Sequence, residues 1–415
     1  MSREIRAEKL IEQIGTEAEL DALVHETGAD VQVKKLGARI MLKLLVYGVL
    51  TSERASLRVL EQAYNSQRFK THAGLGTEMH TRHSSLGDRL RGLPVSLFQR
   101  VFDRAVRRYG AQLKQPYRTA TGVVLRLNRF DSTMVRCSAK LLHLGMVTGR
   151  KRHQAGAPEH AFRHLKFTVG FDGALPRQVA VHTQQSALSD NNPLTQAVSA
   201  LSVDSRETVV AVFDQGVTDH RKLIGLSDNA HYFVTRAKPT THFHVVKARR
   251  VRQTDRTATC QIVSDQLGYI NINEKPYTAT LLRLVVAKSL KPDRAGELIY
   301  FLTNLTESTQ VSAVDITEIY RWRWDIEVFF RFMKQEMNLS HLISRDANGL
   351  QVMLYTRLIA AILVLVFRQR NRITSYKLAK LQFVDQLYDS IIKLAIALCG
   401  GNPHLYDALP ARGVP

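Results

Sequence analysis

A chain of 415 residues exceeds what one ordinary core encloses and predicts two or three domains. With 45% hydrophobic and 23% charged residues it has the composition of a globular protein. Lys and Arg number 58 against 37 Asp and Glu, a formal net charge of +21, so nucleic acid is the first partner class to consider; the plain alternative is a solvated cationic surface.

The N-terminus, MSREIRAEKLIEQI, scatters charges where a signal peptide would carry an apolar core, which predicts a cytoplasmic protein. Apolar residues then recur at helical spacing to about Tyr117, as in Leu42, Leu45, Val46 and Val49. Two apolar runs, Ile40 to Leu50 and Leu358 to Phe367, are shorter than the roughly 18 residues of a membrane span and read as buried helices. From Arg82 to Arg129 the cations are Arg82, Arg89, Arg91, Arg100, Arg104, Arg107, Arg108, Lys114, Arg118, Arg126 and Arg129, against Asp88 and Asp103 alone. That excess predicts a phosphate-contacting surface, with Arg104, Arg107 and Arg108 at its centre.

Past Gln115-Pro116 the pattern changes. Short β-branched and aromatic segments, Val123 to Phe130, Leu165 to Phe171, Gln178 to His182, Thr208 to Phe213 and His231 to Thr235, predict strands, with helices over Asn192 to Leu201 and Thr218 to Leu226. The order describes a mixed α/β layer. Further strand-like runs, notably Tyr277 to Val286 and Glu297 to Leu302, follow the basic stretch Lys247 to Arg252. The expected division is a helical, basic DNA-binding region over 1–119, an α/β segment over 120–238, a β-rich insertion over 239–305, a helix completing the core over 306–345 and a helical C-terminal region over 346–415. Cys137, Cys260 and Cys399 lie far apart with no metal-ligand spacing, which argues against a zinc site or disulfide framework.

Two predicted strands run into Asp131 and Asp214, and ligands of open α/β sheets bind beyond the carboxyl ends of strands. Each Asp taken alone is as readily a turn former or helix cap. The segment YRWRWDIEVFFRFMK, residues 320–334, adds a third acid. On a helical wheel Tyr320, Arg323, Glu327 and Lys334 fall within about 60° of one another, beside an apolar stripe of Trp322, Ile326, Phe329, Met333 and Met337. Arg323 and Glu327 make an i,i+4 pair that is worth only a few tenths of a kcal/mol as a surface salt bridge, roughly 0.2–0.5. Set beside two strand-end Asp residues, Glu327 instead completes the all-oxygen donor set that Mg²⁺ prefers, and two such ions suit in-line phosphoryl displacement. Arg323 and Lys334 then fit phosphate contacts, and Tyr320 a hydrogen-bonding or stacking group.

The spacing Tyr320-x2-Arg323-x3-Glu327-x6-Lys334 resembles the YREK signature of IS4-family bacterial insertion-sequence transposases, and Asp131-Ser132-Thr133 resembles the block holding their first catalytic Asp. The resemblance covers about residues 120–345. It implies a ribonuclease H-like catalytic core, a mixed sheet with flanking helices, interrupted by a β-rich insertion and carrying helical regions at either end. It implies Asp131, Asp214 and Glu327 as the catalytic, metal-binding triad, two Mg²⁺ ions (Mn²⁺ as a substitute), and Tyr320, Arg323 and Lys334 as contacts to transposon-end DNA. For Trp324 it implies holding a base out of the stack, as suits chemistry through a terminal hairpin; core packing is the ordinary alternative. Asp214-Gln215-Gly216-Val217 departs from the family's DRG-aromatic pattern, with Asp219 as the competing acid. The expected function is cut-and-paste DNA transposition by a homodimer acting on terminal inverted repeats and target DNA, with no membrane partner. The alternatives are a nuclease of the same fold without strand transfer and a catalytically idle, transposase-derived DNA-binding protein.

Overall fold

From Ala7 to Gly110 the helical periodicity produces seven helices: α1 (Ala7–Ile14), α2 (Glu17–Glu26), α3 (Ala38–Thr51), α4 (Leu57–Asn65), α5 (Gln67–Ala73), α6 (His83–Gly92) and α7 (Val95–Gly110). Caps set several starts: Thr16 and Glu19 form a capping box on α2, and Ser56 and Ser66 cap α4 and α5. The computed structural model describes residues 5–137, 139–148, 162–202, 207–272, 274–341, 343–344 and 346–407. They divide into two units, one of residues 1–111, 138–144 and 331–415, the other of residues 112–137 and 145–330.

The second unit is built on β1 (Val124–Arg136), β2 (Phe162–Asp172), β3 (Leu175–His182), α8 (Asn191–Ser199), β4 (Thr208–Phe213), α9 (His220–Asp228), β5 (Tyr232–Ala237), β6 (Phe243–Arg249), β7 (Cys260–Ile272), β8 (Leu282–Ser289), β9 (Leu298–Thr303) and α10 (Ala313–Arg321). With three shorter strands these join a twelve-stranded mixed sheet. β1, β2 and β3 pair antiparallel, while β4 lies parallel to β1 and β5 parallel to β4. The resulting order, β3-β2-β1-β4-β5, is the ribonuclease H-like arrangement expected from the sequence. β9, β8 and β7 continue the same sheet beyond β5 by antiparallel pairing, and β6 pairs with β7.

Alternation along the strands sorts the side chains into two layers. Ala211 and Phe213 of β4 pack with Phe130, Leu194, Val198, Leu223 and Ile224 against α8 and α9. Val210 and Val212 pack with Leu125, Leu127, Ile316 and Ile319 against α10 on the opposite face.

Three sequence expectations are revised. β1 does not stop before Asp131 but runs through it to Arg136, because Asp131 to Arg136 pairs residue by residue with Val169 to His164 of β2. The strand expected over 277–286 lies at Leu282–Ser289. The YREK segment is not one helix: α10 ends at Arg321 and α11 runs Trp324–Gln335, joined through a tightened turn in which Arg323, Asp325 and Ile326 each donate to the carbonyl three residues back.

In the first unit, α12 (Ala347–Arg370) packs with α3, α7 and α13 (Tyr376–Leu398). Its mean hydropathy of 2.2 over 18 residues would suit a membrane span, yet 94% of that window is buried within the protein. Arg357 on this helix is itself buried and donates to the carbonyls of Met337 (3.1 Å) and His341 (2.5 Å).

A second buried arginine braces the sheet. Arg283 of β8 is fully buried, grips Asp265 of β7 through Nε and Nη2 at 2.8 Å each, and donates to the Val311 carbonyl at 2.7 Å. Arg283→Ala leaves the Asp265 carboxylate buried and short of its main partner, and should destabilise the protein by roughly 3–5 kcal/mol in chemical denaturation. A loss below about 1 kcal/mol would contradict the bracing role.

Candidate active site

The sheet register brings the first two acids side by side. Arg129 of β1 lies opposite Val212 of β4, so two residues further along the parallel pair Asp131 falls beside Asp214, one step past the end of β4. Neighbouring strands are about 4.8 Å apart. Asp219, the competing acid, instead caps α9 by accepting from the Arg221 amide at 3.1 Å and pairs with the Arg221 side chain.

α11 is held to β1 by a buried arginine. Arg129, 1% exposed, donates through Nη1 to Asp325 Oδ2 at 2.7 Å and also reaches the Gly173 carbonyl. Phe329, one turn along, stacks its ring 5.1 Å from that of Phe171 on β2. Glu327 lies about 200° round the helix from Asp325 and is tied to the site through Arg323, with its charge felt at Asp131.

Arg323, in the tightened turn, is the common partner. Its side chain is only 11% exposed; Nη1 lies 3.8 Å from Asp131 Oδ2, Nη2 donates to Glu327 Oε1, and Nε donates to Tyr320 Oη at 3.1 Å. Tyr320 in turn donates its hydroxyl to Asp214 Oδ1 at 2.8 Å. The structure therefore gathers Asp131, Asp214, Tyr320, Arg323 and Glu327 into one network. Among the described residues no three of His, Cys, Asp and Glu stand as a ready metal-ligand set; the Arg323 guanidinium lies between Asp131 and Glu327. The donor chemistry nonetheless fits a hard divalent ion: all three groups are carboxylates, two of them beside one positive charge and the third joined to it through Tyr320.

Burial, together with the charges of Asp190 and Glu327, pushes the Asp131 carboxyl up to about 6 against the opposing pull of the Ser132 amide and Arg323. Burial and the adjoining Asp214 carboxylate raise the Tyr320 phenol, which stays protonated and keeps its hydroxyl as a donor.

The remaining sequence candidates divide. Trp324 is 55% exposed, so core packing does not account for it. Lys334 is exposed near the end of α11 and is not among the groups gathered at Arg323. Arg107 and Arg108 are exposed on α7, while Arg104 pairs with Glu19, Arg100 with Glu26 and Arg89 with Asp30. Arg129 and Arg126, counted in the cationic run, are not free surface charges: the first is buried and the second pairs with Asp172 and Glu207. Arg236 on β5 is among the residues that escaped the sequence reading; it has a buried Nε with no protein hydrogen-bond partner, and its charge is felt at Tyr320. Its place one strand over from Asp214 follows from strand order, which the sequence does not print.

Because folding raises the Asp131 carboxyl above its unfolded value of about 3.9, the fold favours its neutral form. The associated stability is full below the unfolded value and lost as pH rises through about 6. In chelator-treated protein, Asp131→Asn should therefore be more stable than the parent by about 1–3 kcal/mol at pH 7 and indistinguishable near pH 4, measured by denaturant unfolding. A less stable variant at pH 7 would contradict this electrostatic assignment.

Comparison with known proteins places the geometry in a family. A model described as "Transposase DDE domain" matches residues 128–363, more than half the chain. The transposase-named protein y4zB of Sinorhizobium fredii is 26% identical over 42% of this chain and 46% of its own length. A relative named as a probable transposase for insertion sequence element IS5377 of Geobacillus stearothermophilus is 26% identical over 60% of this chain and 62% of its own. One named for insertion sequence element IS4SA of Synechocystis is 23% identical over 58% and 60%. The chain thus spans between about half and three fifths of the curated relatives it matches. A cryo-EM structure of a piggyBac transposase synaptic complex with hairpin DNA aligns with a TM-score of 0.44 at 14% identity, over 99% of this chain and 86% of that one. By the domain that spans its sheet, its three acids and α11, the chain belongs to the DDE transposase family.

Proposed function

We propose that this protein is the transposase of an insertion sequence of the IS4 type, cutting DNA at the element's ends and joining the freed 3′-hydroxyl to target DNA. The observation that carries the reading is the gathering of two strand acids and one helix acid in one network through Arg323 and its partner Tyr320.

Asp131, Asp214 and Glu327 would hold the divalent ions, a pair of Mg²⁺ for which Mn²⁺ can substitute. When bound, such ions activate an attacking oxygen and stabilise the leaving one in an in-line displacement at phosphorus. The chain's own groups supply the rest. Arg323, beside Glu327 and Asp131, has the planar fork of donors that would suit a DNA phosphate brought to the site. Tyr320 keeps its proton and orients Asp214. Arg236, with a buried nitrogen that lacks a protein acceptor, suits a second phosphate oxygen. Exposed Trp324 offers a face for an unstacked base, as a hairpin at the element end requires. Arg107, Arg108 and Lys334 would contact backbone phosphates, with 1–119 as the helical DNA-binding region and 239–305 as the insertion that splits the catalytic core. Action on paired inverted repeats calls for a homodimer, and the setting is cytoplasmic, at the chromosome.

Glu327→Gln should leave binding of an element-end duplex within about threefold while cleavage falls by roughly a thousandfold or more, read by gel shift and nicking assays on the same preparation. Retention of full cleavage would remove Glu327 from the chemistry.

A further inference from the structure

Asp131 sits within a paired strand and Glu327 on an anchored helix, but Asp214 opens the turn 214–219 between β4 and α9, and something must hold that turn in place. Resting on the reading that Asp131, Asp214 and Glu327 bind the ions, we infer that Asp190 and Asn191, at the start of α8, are positioning residues that clamp the Asp214 turn against β2.

Asp190 is tied from behind. Lys166 of β2, 2% exposed, donates through Nζ to Asp190 Oδ1 at 2.8 Å and to the Leu188 carbonyl at 2.6 Å. The other face of Asp190 meets the turn at Gly216, where an added Cβ would lie 2.8 Å from Asp190 Oδ2 and 2.9 Å from its Cβ. Glycine at the third position of Asp214-Gln215-Gly216 is thus required by the close approach of Asp190 and not by a left-handed backbone. Asn191 completes the grip. Its Oδ1 accepts from the Thr218 amide at 2.7 Å and the Asp219 amide at 3.0 Å, and its Nδ2 donates to Thr218 Oγ1 at 3.3 Å.

The arrangement has a definite division of labour. Lys166 fixes Asp190 to the strand next to β1, and the Asp190-Asn191 pair holds the turn at its middle and far end, so the register that puts Asp214 beside Asp131 is backed by β2 and α8. None of these residues carries the reacting atoms. The effect of Asn191 and Gly216 passes through Asp214, while Asp190 also bears on Asp131 by its charge; residues that orient a metal-binding group in this way alter metal affinity by about 10- to 100-fold.

The test is Mn²⁺ binding by the full-length protein, followed by the loss of the free-ion electron paramagnetic resonance signal, beside kcat and KM for cleavage of an element-end duplex and the thermal midpoint. Asn191→Ala and Gly216→Ala should each weaken Mn²⁺ binding about tenfold and lower kcat with KM for DNA unchanged. Asn191→Asp, which keeps an oxygen facing the two amides, should restore most of the binding lost in Asn191→Ala while leaving the thermal midpoint where it was. Asp214→Asn serves as the reference. If Asp214→Asn abolishes Mn²⁺ binding while Asn191→Ala and Gly216→Ala bind as the parent does, the clamp is overturned and the metal reading stands. If Asp214→Asn binds Mn²⁺ normally, or the parent binds none, both fall. A loss in Asn191→Ala that tracks a lowered thermal midpoint and is not recovered in Asn191→Asp also overturns the clamp, leaving a structural role only.

Discussion

Arg323 carries a full positive charge in a nearly closed place, surrounded by Asp131, Glu327 and a Tyr320 hydroxyl that is itself bound to Asp214. A buried cation is tolerable only when its donors are matched, and here the matching groups are two of the acids the sequence singled out and the Tyr320 hydroxyl, through which the third, Asp214, is joined. The same fact works in reverse: burial first, and then the charges of Asp190 and Glu327, raise the Asp131 carboxyl, and the nearby Arg323 guanidinium opposes that shift. The site is consequently balanced with the guanidinium in place.

Everything that positions this network is carried by the sheet and by buried polar ties. The parallel pairing of β1 and β4 places Asp131 and Asp214 in register, and Arg129, reaching from β1 to Asp325, docks α11 beside them. Arg283 braces the strands further out, and Arg357 does the equivalent work within the helical unit. Arginine suits these duties because its planar fork satisfies several acceptors while remaining charged. A basic chain of this kind therefore spends part of its charge internally, and the +21 total overstates what its surface offers DNA.

The sequence made the architecture and the acids legible for distinct reasons. Thr208–Phe213 was read residue for residue because β-branched side chains alternate between two packed layers. Glu327 was legible because four chemically distinct residues recur at fixed spacing. β1 was cut short because Asp131-Ser132-Thr133 reads as a turn, a local preference overridden by pairing with β2. β7 went unnamed because a register shift opposite Val286 and Ala287 breaks its period of two. The split between α10 and α11 left no mark, since nothing in Arg321-Trp322-Arg323 forbids a continuous helix. Arg236, Lys166, Asp190 and Asn191 were invisible for a deeper reason: each acquires its role only from which strand or turn lies beside it.

The most direct test of the central claim is anomalous X-ray diffraction from crystals of the protein grown with Mn²⁺. The account predicts an ion within coordination distance, about 2.0–2.4 Å, of oxygens from Asp131 and Asp214, with Glu327 facing it and Arg323 parted from Glu327. An ion bound elsewhere, with Arg323 still joined to Glu327 and close to Asp131, would contradict it.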